Sequence, residues 1–257
     1  MSAPTPPLIL AFAPRERIRT MLRGSLPRRR RRILATRTPG GFAAAFAVRL
    51  VDAALVDLGG SAEQVAAAVA LAPQYPSVAF LGVSPWRSVD GPAIGSAIAS
   101  DFVDVLAEGT DDGLLRFLLT WHGFTARFAR ALADPPPSLG LVTPLQRSVW
   151  TQLVTRAGQT VRTSALASAL GVTREHLSRS FAGSGTMRLK KLIDLVRLLA
   201  ASELAKNPGH GPGEVATVLG FSSLPRLAEL TKRVLGTTPT SLARLRVEDV
   251  VARFVRK

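Results

Sequence analysis

The chain has 257 residues and carries 33 Lys and Arg side chains against 18 Asp and Glu, a formal net charge of +15 at pH 7. Because it contains no cysteine, disulfides, thiolate zinc sites and cysteine nucleophiles are excluded. The excess of basic over acidic side chains is uneven: residues 1–132 carry 15 basic and 10 acidic side chains, and residues 133–257 carry 18 basic and 8 acidic ones. A basic balance of this size favours a polyanionic partner, with nucleic acid first and an acidic membrane surface second.

The amino-terminal residues predict neither a signal peptide nor a membrane span. The apolar run from Leu8 to Pro14 is too short for either, and charged residues interrupt the later Ala-rich segments. Three widely spaced histidines, His122, His176 and His210, form no metal-ligand pair with a carboxylate at helical spacing. We therefore expect a cytoplasmic protein with no membrane partner, no metal and no cofactor.

The first half alternates short apolar runs with segments of helical length. Parallel strands need crossover helices and bury both faces, so this alternation predicts an α/β domain with a doubly wound, five-stranded parallel sheet of buried strands, flavodoxin-like in type. The final helical segment, residues 111–133, is expected to form one long helix. The predicted strands are LILAF (8–12), RILAT (32–36), AALVDL (53–58), SVAFLGV (77–83) and FVDVLA (102–107).

Asp57 lies near the end of the third of these runs, which two glycines follow. In doubly wound sheets, functional residues collect at the carboxyl ends of the strands. The first half resembles the receiver domain of response regulators, in its five strands and in the pattern D-x-x-x-x-D-L-G from Asp52 to Gly59. The resemblance implies that Asp57 is a phosphoacceptor.

Other parts of the receiver chemistry are missing from the sequence. The family holds a divalent metal with an acidic pair just after the first strand, where residues 12–14 are Phe, Ala and Pro. The family's lysine after the fifth strand is absent from residues 106–108, and Ser84 is the candidate for its hydroxyl residue. We therefore favour a pseudo-receiver in which Asp57 caps a turn and control comes from a protein contact or a ligand, while phosphorylation of Asp57 stays open.

Two further features of the first half have alternative interpretations. The five-arginine run at residues 28–32 is expected to be a solvated loop, because blocks of like charge stay extended, although it could contact DNA phosphates or an acidic partner. Trp121 and His122 lie in the last predicted helix, where core packing and a homodimer face both remain open. They share that helix with Leu114, Leu115, Phe117 and Leu118.

A proline-rich segment then separates two regions of different character. It cannot continue a helix and is typical of a semi-rigid linker, and the strand signals end with it. We predict a receiver-like domain over residues 1–132, a linker over 133–145 and an all-helical domain over 146–257.

Residues 163–185 have the pattern of a helix-turn-helix. A glycine at the turn, Gly171, separates two short helices, and Thr173 is placed to cap the second. The second helix would present hydrogen-bond donors to a major groove. The apolar residues spaced to close the helices on each other are Leu166, Ala167, Leu170, Val172, Leu177 and Phe181.

A second such pattern follows a long apolar helix over residues 187–206. It covers residues 213–236, with Gly220 at the turn and Phe221 as its apolar anchor. Two units joined by one long helix are a stronger indication than either unit alone.

Residues 146–246 resemble the DNA-binding domain of AraC/XylS-type transcription regulators. The resemblance lies in LASALGVTREHLSRSF, in Arg197 and Ala201 of the long helix, in VATVLGF and in the closing LGTTPTSLARLR. It implies that two recognition helices enter successive major grooves on one face of the DNA.

The resemblance assigns base-facing places to both recognition helices. Arg179 in the first helix could reach a guanine edge with two hydrogen bonds. In the second helix these places hold Leu224, Pro225 and Glu229, where family members usually have polar or basic residues, so this unit is expected to position the protein more than to specify sequence. The candidate DNA-binding residues are Thr173, Arg174, Glu175, Ser178, Arg179, Ser222, Ser223, Arg226, Glu229, Lys232 and Arg233.

The sequence therefore predicts a sequence-specific, double-stranded DNA-binding transcription regulator with a receiver-like input domain. Its expected partners are DNA in the nucleoid and the transcription machinery or a regulatory protein. No histidine, carboxylate pair or nucleophile is arranged for catalysis, so we do not expect an enzyme. The alternative is a degenerate regulator that acts as a protein-interaction module with weak or non-specific DNA binding, which the unusual second helix favours.

Overall fold

A computed structural model describes residues 6–25, 32–182 and 187–256 of the chain. These residues form two compact units. The sheet unit comprises Pro6–Arg127 and Asn207–His210, and the helical unit comprises Phe128–Lys206 and Gly211–Lys257. Arg28–Arg31 of the arginine run lie outside the described residues.

Five parallel strands form the sheet, in the order β2-β1-β3-β4-β5. Their register places Leu10 opposite Leu34 of β2 and Ala54 of β3. This is the doubly wound, receiver-like topology that the sequence predicted, with its crevice where the strand order reverses beside β1. The strands are β1 Leu8–Phe12, β2 Arg32–Thr36, β3 Ala53–Asp57, β4 Ala79–Ser84 and β5 Asp104–Ala107.

Burial differs between the central and the edge strands. Every residue of β1, β3 and β4 is buried, whereas β2 and β5 are largely exposed or half-buried. The expectation of five buried strands is therefore wrong for the two edge strands, which have a neighbouring strand on one side only.

Six helices follow the strands of the sheet, and apolar side chains fill both of its faces. One face holds an aromatic cluster in which the Phe42 ring meets the Phe46 ring edge-on at 5.4 Å. The other face packs Ile18 and Leu22 against β1 and β3 residues such as Leu55. The helices are α1 Glu16–Ser25, α2 Pro39–Val48, α3 Ala62–Val69, α4 Gly91–Ala99, α5 Asp112–His122 and α6 Phe124–Ala131.

The single long helix predicted over residues 111–133 is two helices, α5 and α6. The chain is extended at Gly123, with φ −57° and ψ 143°. Just beyond it, the backbone N–H of Phe124 donates to the Asp52 carbonyl at 2.8 Å, and that of Thr125 donates to Asp52 Oδ1 at 3.0 Å. Asp52 therefore satisfies the first free N–H groups of α6, which lets a new helix begin inside a continuous apolar pattern.

The helical unit is built around one long helix, α10, whose inner face is buried along its length. Trp150 of α7 is also fully buried, and its indole N–H donates to the Leu132 carbonyl at 2.7 Å. The helices are α7 Pro144–Val154, α8 Thr163–Ala169, α9 Arg174–Arg179, α10 Leu189–Leu204, α11 Pro212–Val218, α12 Leu224–Leu235 and α13 Val247–Val255.

The proline-rich segment belongs to the helical unit. It contains a short 3-10 helix, Pro137–Leu139, and the side chains of Leu139 and Leu141 are buried. The division between the two units falls at Arg127, inside α6, ahead of the prolines.

Candidate functional site

The first predicted helix-turn-helix is formed by α8 and α9. Gly171 at the turn has φ +66°, a conformation that glycine adopts without steric cost. Leu166 of α8 and Leu177 of α9 are fully buried, as the apolar spacing predicted, and Phe181 joins them. Thr173 caps α9, because its side-chain oxygen accepts from the backbone N–H of His176 at 3.1 Å.

This packing leaves the outer face of α9 in solvent. Arg174, Glu175, Ser178 and Arg179 are all exposed. Within the described parts of the chain, none of the three charged residues among them takes part in an ion pair. These side chains keep their donors and acceptors available to an outside partner.

The second pair, α11 and α12, also turns at a left-handed glycine. Gly220 has φ +65°, and its carbonyl accepts from the hydroxyl of Thr160 at 3.1 Å. The guanidinium of Arg197 on α10 lies 3.6 Å from the centre of the Phe221 ring, and its Nη2 donates to the Leu219 carbonyl at 3.3 Å. Burial lowers the pKa of Arg197 from its ordinary value. The Phe221 anchor is thus held to the long helix by a cation–π contact.

The outer face of α12 differs from that of α9, because two of its cations, Arg226 and Arg233, are in ion pairs. Arg226 Nη1 lies 2.5 Å from Glu229 Oε2, and Arg233 lies 3.8 Å from Glu229 and 3.2 Å from Asp194. Burial raises the pKa of Asp194, and the Arg233 charge opposes this shift. Part of the positive charge of the second helix is therefore neutralised by carboxylates of the protein itself.

The remaining candidates on this unit lie near the start and the end of α12. Ser222, Ser223 and Lys232 are exposed, and the Ser223 hydroxyl oxygen accepts from the backbone N–H of Arg226 at 3.4 Å, as an N-cap. The Leu224 side chain is 41% exposed. An exposed apolar residue therefore occupies one of the places that the resemblance assigns to base contacts.

A cationic cleft beside α10 was not among the predicted sites. It has a volume of about 450 Å³, and its lining contains four cationic side chains and one carboxylate. The R-L-K-K stretch at residues 188–191 was its sequence signal. The lining residues are Arg188, Lys190, Lys191, Asp194, Arg233, Val234 and Phe254.

A second candidate site lies at the carboxyl end of β3. Asp57 is fully buried, and the guanidinium of Arg15 faces it: Nε lies 2.8 Å from Oδ1 and 3.0 Å from Oδ2, and Nη2 lies 2.5 Å from Oδ1. The backbone N–H of Arg15 donates to Oδ2 at 3.3 Å, and that of Gly59 donates to Oδ1 at 3.1 Å. Asp57 thus caps the turn after β3, as the favoured interpretation holds, and also binds an arginine that sequence reasoning missed.

Glu108, just after β5, completes this strand-end site. Its Oε2 lies 2.9 Å from Arg15 Nη1, and its Oε1 lies 2.5 Å from Arg17 Nε. Although burial opposes it, hydrogen bonding and ion pairing with Asp57 and Glu108 raise the pKa of Arg15 above its ordinary value. One guanidinium thus bridges two buried carboxylates.

Ser84, the candidate hydroxyl residue, and Asp52, the first aspartate of the receiver pattern, make their hydrogen bonds elsewhere. The Ser84 hydroxyl donates to Asp90 Oδ2 at 3.2 Å, and Arg87 holds the pKa of Asp90 below its usual range. Asp52 lies at the opposite, amino end of β3, where its Oδ2 accepts from the Leu8 N–H at 2.8 Å. In the described structure neither residue is bonded to Asp57.

A receiver-like fold implies a divalent cation beside the strand-end aspartate, but these residues do not fit one. Hard cations take carboxylate oxygens with free lone pairs. The oxygens of Asp57 already accept five N–H contacts, and the chain next to it after β1, residues 12–14, supplies no carboxylate. The positive charge that faces the Asp57 carboxylate is the Arg15 guanidinium.

Comparisons with known proteins give a family match for the helical unit. Residues 166–244 match the model of a family described as a helix-turn-helix domain, which confirms the AraC/XylS-type resemblance over that segment. No curated protein matches the chain. No helix in the described residues is long and apolar enough to cross a membrane.

Several solved structures resemble the chain at low identity. A response regulator from Thermotoga maritima is 11% identical, covers 46% of this chain and 98% of its own, and has a TM-score of 0.39. The match to full-length FixJ from B. japonicum covers 94% of this chain and 100% of that chain, with 13% identity and a TM-score of 0.41. The match to a response regulator protein from Burkholderia pseudomallei covers 69% of this chain and 99% of that chain, with 17% identity and a TM-score of 0.37. The assignment of the fold therefore rests on the strand order itself.

Proposed function

We propose that this chain is a sequence-specific, double-stranded DNA-binding transcription regulator whose two helix-turn-helix units contact successive major grooves. The observation that carries the proposal is the outer face of α9, where four polar or charged side chains are exposed on a buried apolar base. The helix-turn-helix family match over residues 166–244 supports it.

In this proposal α9 reads bases. Arg179 would donate two hydrogen bonds to a guanine edge, and Glu175 and Ser178 would contact neighbouring bases. Thr173 and Arg174, at the start of the helix, would contact the phosphate backbone.

The second helix-turn-helix unit, α11 and α12, would contact the DNA backbone more than it reads base sequence. Glu229 accepts ion pairs from Arg226 and Arg233, so both arginines approach DNA with part of their charge neutralised. Ser222, Ser223 and Lys232 add exposed hydrogen-bond donors, and the cationic cleft beside α10 adds charge to the unit. Such contacts fix orientation without carrying sequence information.

The sheet unit would serve as an input domain that is not phosphorylated in the usual metal-dependent way. We infer a cytoplasmic, nucleoid-associated protein without enzymatic activity, in contact with the transcription machinery or a regulatory protein.

The exposed side chains of Leu114, Phe117 and Trp121 on α5, with the last two rings stacked at 6.0 Å, support a homodimer face on this helix. Leu115 and Leu118 on the same helix are core residues instead.

The salt dependence of DNA binding tests the proposal. Each neutralised phosphate releases counterions, so the logarithm of the binding constant should fall linearly with the logarithm of salt concentration, by about 0.9 per phosphate contact. Fluorescence anisotropy on a labelled duplex measures this slope. Arg174→Ala should reduce the slope by about one, while Lys206→Ala, at an exposed lysine already paired with Glu203, serves as the control. An affinity that does not change with salt would contradict the phosphate-contact proposal.

A protein-interaction module with weak or non-specific DNA binding is the second candidate. The ion pairs of Arg226 and Arg233 and the exposed Leu224 favour it, because they make α12 a poor reader of DNA. The two candidates differ in what a random DNA pool yields, since only the first recovers a sequence motif.

A further inference from the structure

We propose that the Arg15 guanidinium is the resident cation of the strand-end site, and that it closes this site both to a divalent metal and to phosphoryl transfer onto Asp57. The inference deepens the proposed input role of the sheet unit and rests on it for its regulatory meaning. Its physical basis is the contacts of Asp57, Glu108 and Gly59.

The hydrogen-bonding capacity of Asp57 is fully used. A carboxylate offers about four lone-pair sites on its two oxygens. Arg15 makes four N–H contacts with these oxygens, and Gly59 makes a fifth. A metal ion or a phosphoryl donor would have to displace Arg15 before it could reach either oxygen.

The arginine is held from its other side as well. Glu108 has a side chain that is only 4% exposed, and it pairs with both Arg15 and Arg17. Two buried carboxylates so close to each other would repel without a cation between them, and the guanidinium supplies that charge with the geometry that matches carboxylates best.

Gly59 makes the room that the guanidinium needs. A Cβ atom at this position would lie 2.6 Å from Arg15 Cζ and 2.8 Å from Pro85 Cδ. A larger residue at position 59 would push the Arg15 side chain off Asp57. This close approach gives a second way to open the site without changing any charge.

The test uses full-length protein with Mn²⁺ as the metal probe, and acetyl phosphate with Mg²⁺ as the phosphoryl donor. Mn²⁺ binding is measured by calorimetry, and acyl phosphate at Asp57, formed with release of acetate, is measured by intact mass. The variants are Arg15→Ala, Arg15→Ala with Asp57→Ala, and Gly59→Ala. The matched control is Arg17→Ala, which removes a cation that touches Glu108 but makes no described contact with Asp57.

We expect the wild-type protein and Arg17→Ala to take up neither probe at Asp57. Arg15→Ala should bind Mn²⁺ at least about tenfold more tightly than any residual binding by the Arg17→Ala control, a change on the scale that groups bonded to metal ligands have on metal affinity. Adding Asp57→Ala should abolish that gain, and Gly59→Ala should show a gain in the same direction.

Two results would overturn the proposal. One is Mg²⁺-dependent phosphoryl uptake at Asp57 in the wild-type protein. The other is a folded Arg15→Ala protein that binds Mn²⁺ no better than the Arg17→Ala control; if Arg15→Ala does not fold, Gly59→Ala replaces it in this comparison. Because both readouts concern the sheet unit alone, a failure here leaves DNA binding unaffected, and a failure of DNA binding leaves this result standing.

Discussion

Arg179 is the residue on which the base-reading proposal depends most. Its side chain is exposed on α9, and no carboxylate of the described chain forms an ion pair with it. Arg179→Ala should weaken binding to a specific site by about 1–3 kcal/mol and relax the preference at one base position. Competition binding against single-base variants of the site measures both effects. An unchanged preference at every position would remove Arg179 from the base-reading residues.

Asp52 should make the free energy of unfolding fall as pH rises, the opposite of what a carboxylate with a lowered pKa does. Burial raises the pKa of its carboxyl, although hydrogen bonds from the side chain and backbone of Thr125 and from the backbone of Leu8 oppose the shift. With the folded pKa above the unfolded value of about 3.9, the folded state binds the extra proton, so stability is complete below that value and falls as pH rises through the folded pKa.

Asp52→Asn removes this titration. The variant loses an acceptor oxygen at every pH, but its stability relative to the wild-type protein should improve as pH rises from acid to neutral. Urea unfolding across a pH series measures the difference, with Asp134→Asn at an exposed carboxylate as the control. A difference that moves the other way with pH would show that the hydrogen bonds and charges around Asp52 outweigh its burial.

Single residues show most clearly where prediction from sequence ends. The buried strand that ends at Asp57 and the cap at Thr173 follow from local patterns, and the structure has both. The Arg15 contact does not follow from such patterns, because residues 42 positions apart meet only through the pairing of β1 with β3. The signal that the sequence offered for this contact was an arginine, Arg15, three positions after the end of β1.

At the scale of elements, the two left-handed turns allow a matched comparison. A Cβ atom at Gly171 would meet no heavy atom within 4 Å, whereas one at Gly220 would lie 3.2 Å from Thr160 Oγ1. Alanine should therefore cost about 1–2 kcal/mol at Gly171 from backbone strain alone, and more at Gly220.

Urea unfolding of the two variants measures this order. Gly213→Ala is the control, since Gly213 lies within α11 with open space around it and no positive φ. Equal costs at Gly171 and Gly220 would mean that the Thr160 contact relaxes freely.

The elements themselves were largely predictable, and the exceptions have physical causes. β1 and β2 have the predicted bounds, because apolar runs of strand length with turn residues beside them leave little choice. The split between α5 and α6 was not predictable, because it depends on a cap supplied by Asp52, a residue just before β3 and distant from α6 in the sequence. The pairing of Arg226 with Glu229 follows helical spacing and was available from the sequence.

At the scale of the whole molecule, the two units divide the proposed work. The helical unit has the family match and the exposed polar face of α9 that we propose for DNA recognition. The sheet unit has the receiver-like topology, with Arg15 bonded to Asp57 at the carboxyl end of β3. The basic excess of residues 133–257, 18 against 8, fits a partner that carries many negative charges.

The central claim is that both helix-turn-helix units engage one DNA site in a sequence-specific way. Selection of bound sequences from a random double-stranded pool by purified full-length protein tests it most directly. We predict a motif spanning two major grooves about one helical turn apart, with stronger base preferences in the half contacted by α9. Salt-labile binding to any DNA with no recovered motif would contradict the claim, and a motif confined to one groove would contradict the role proposed for the second unit.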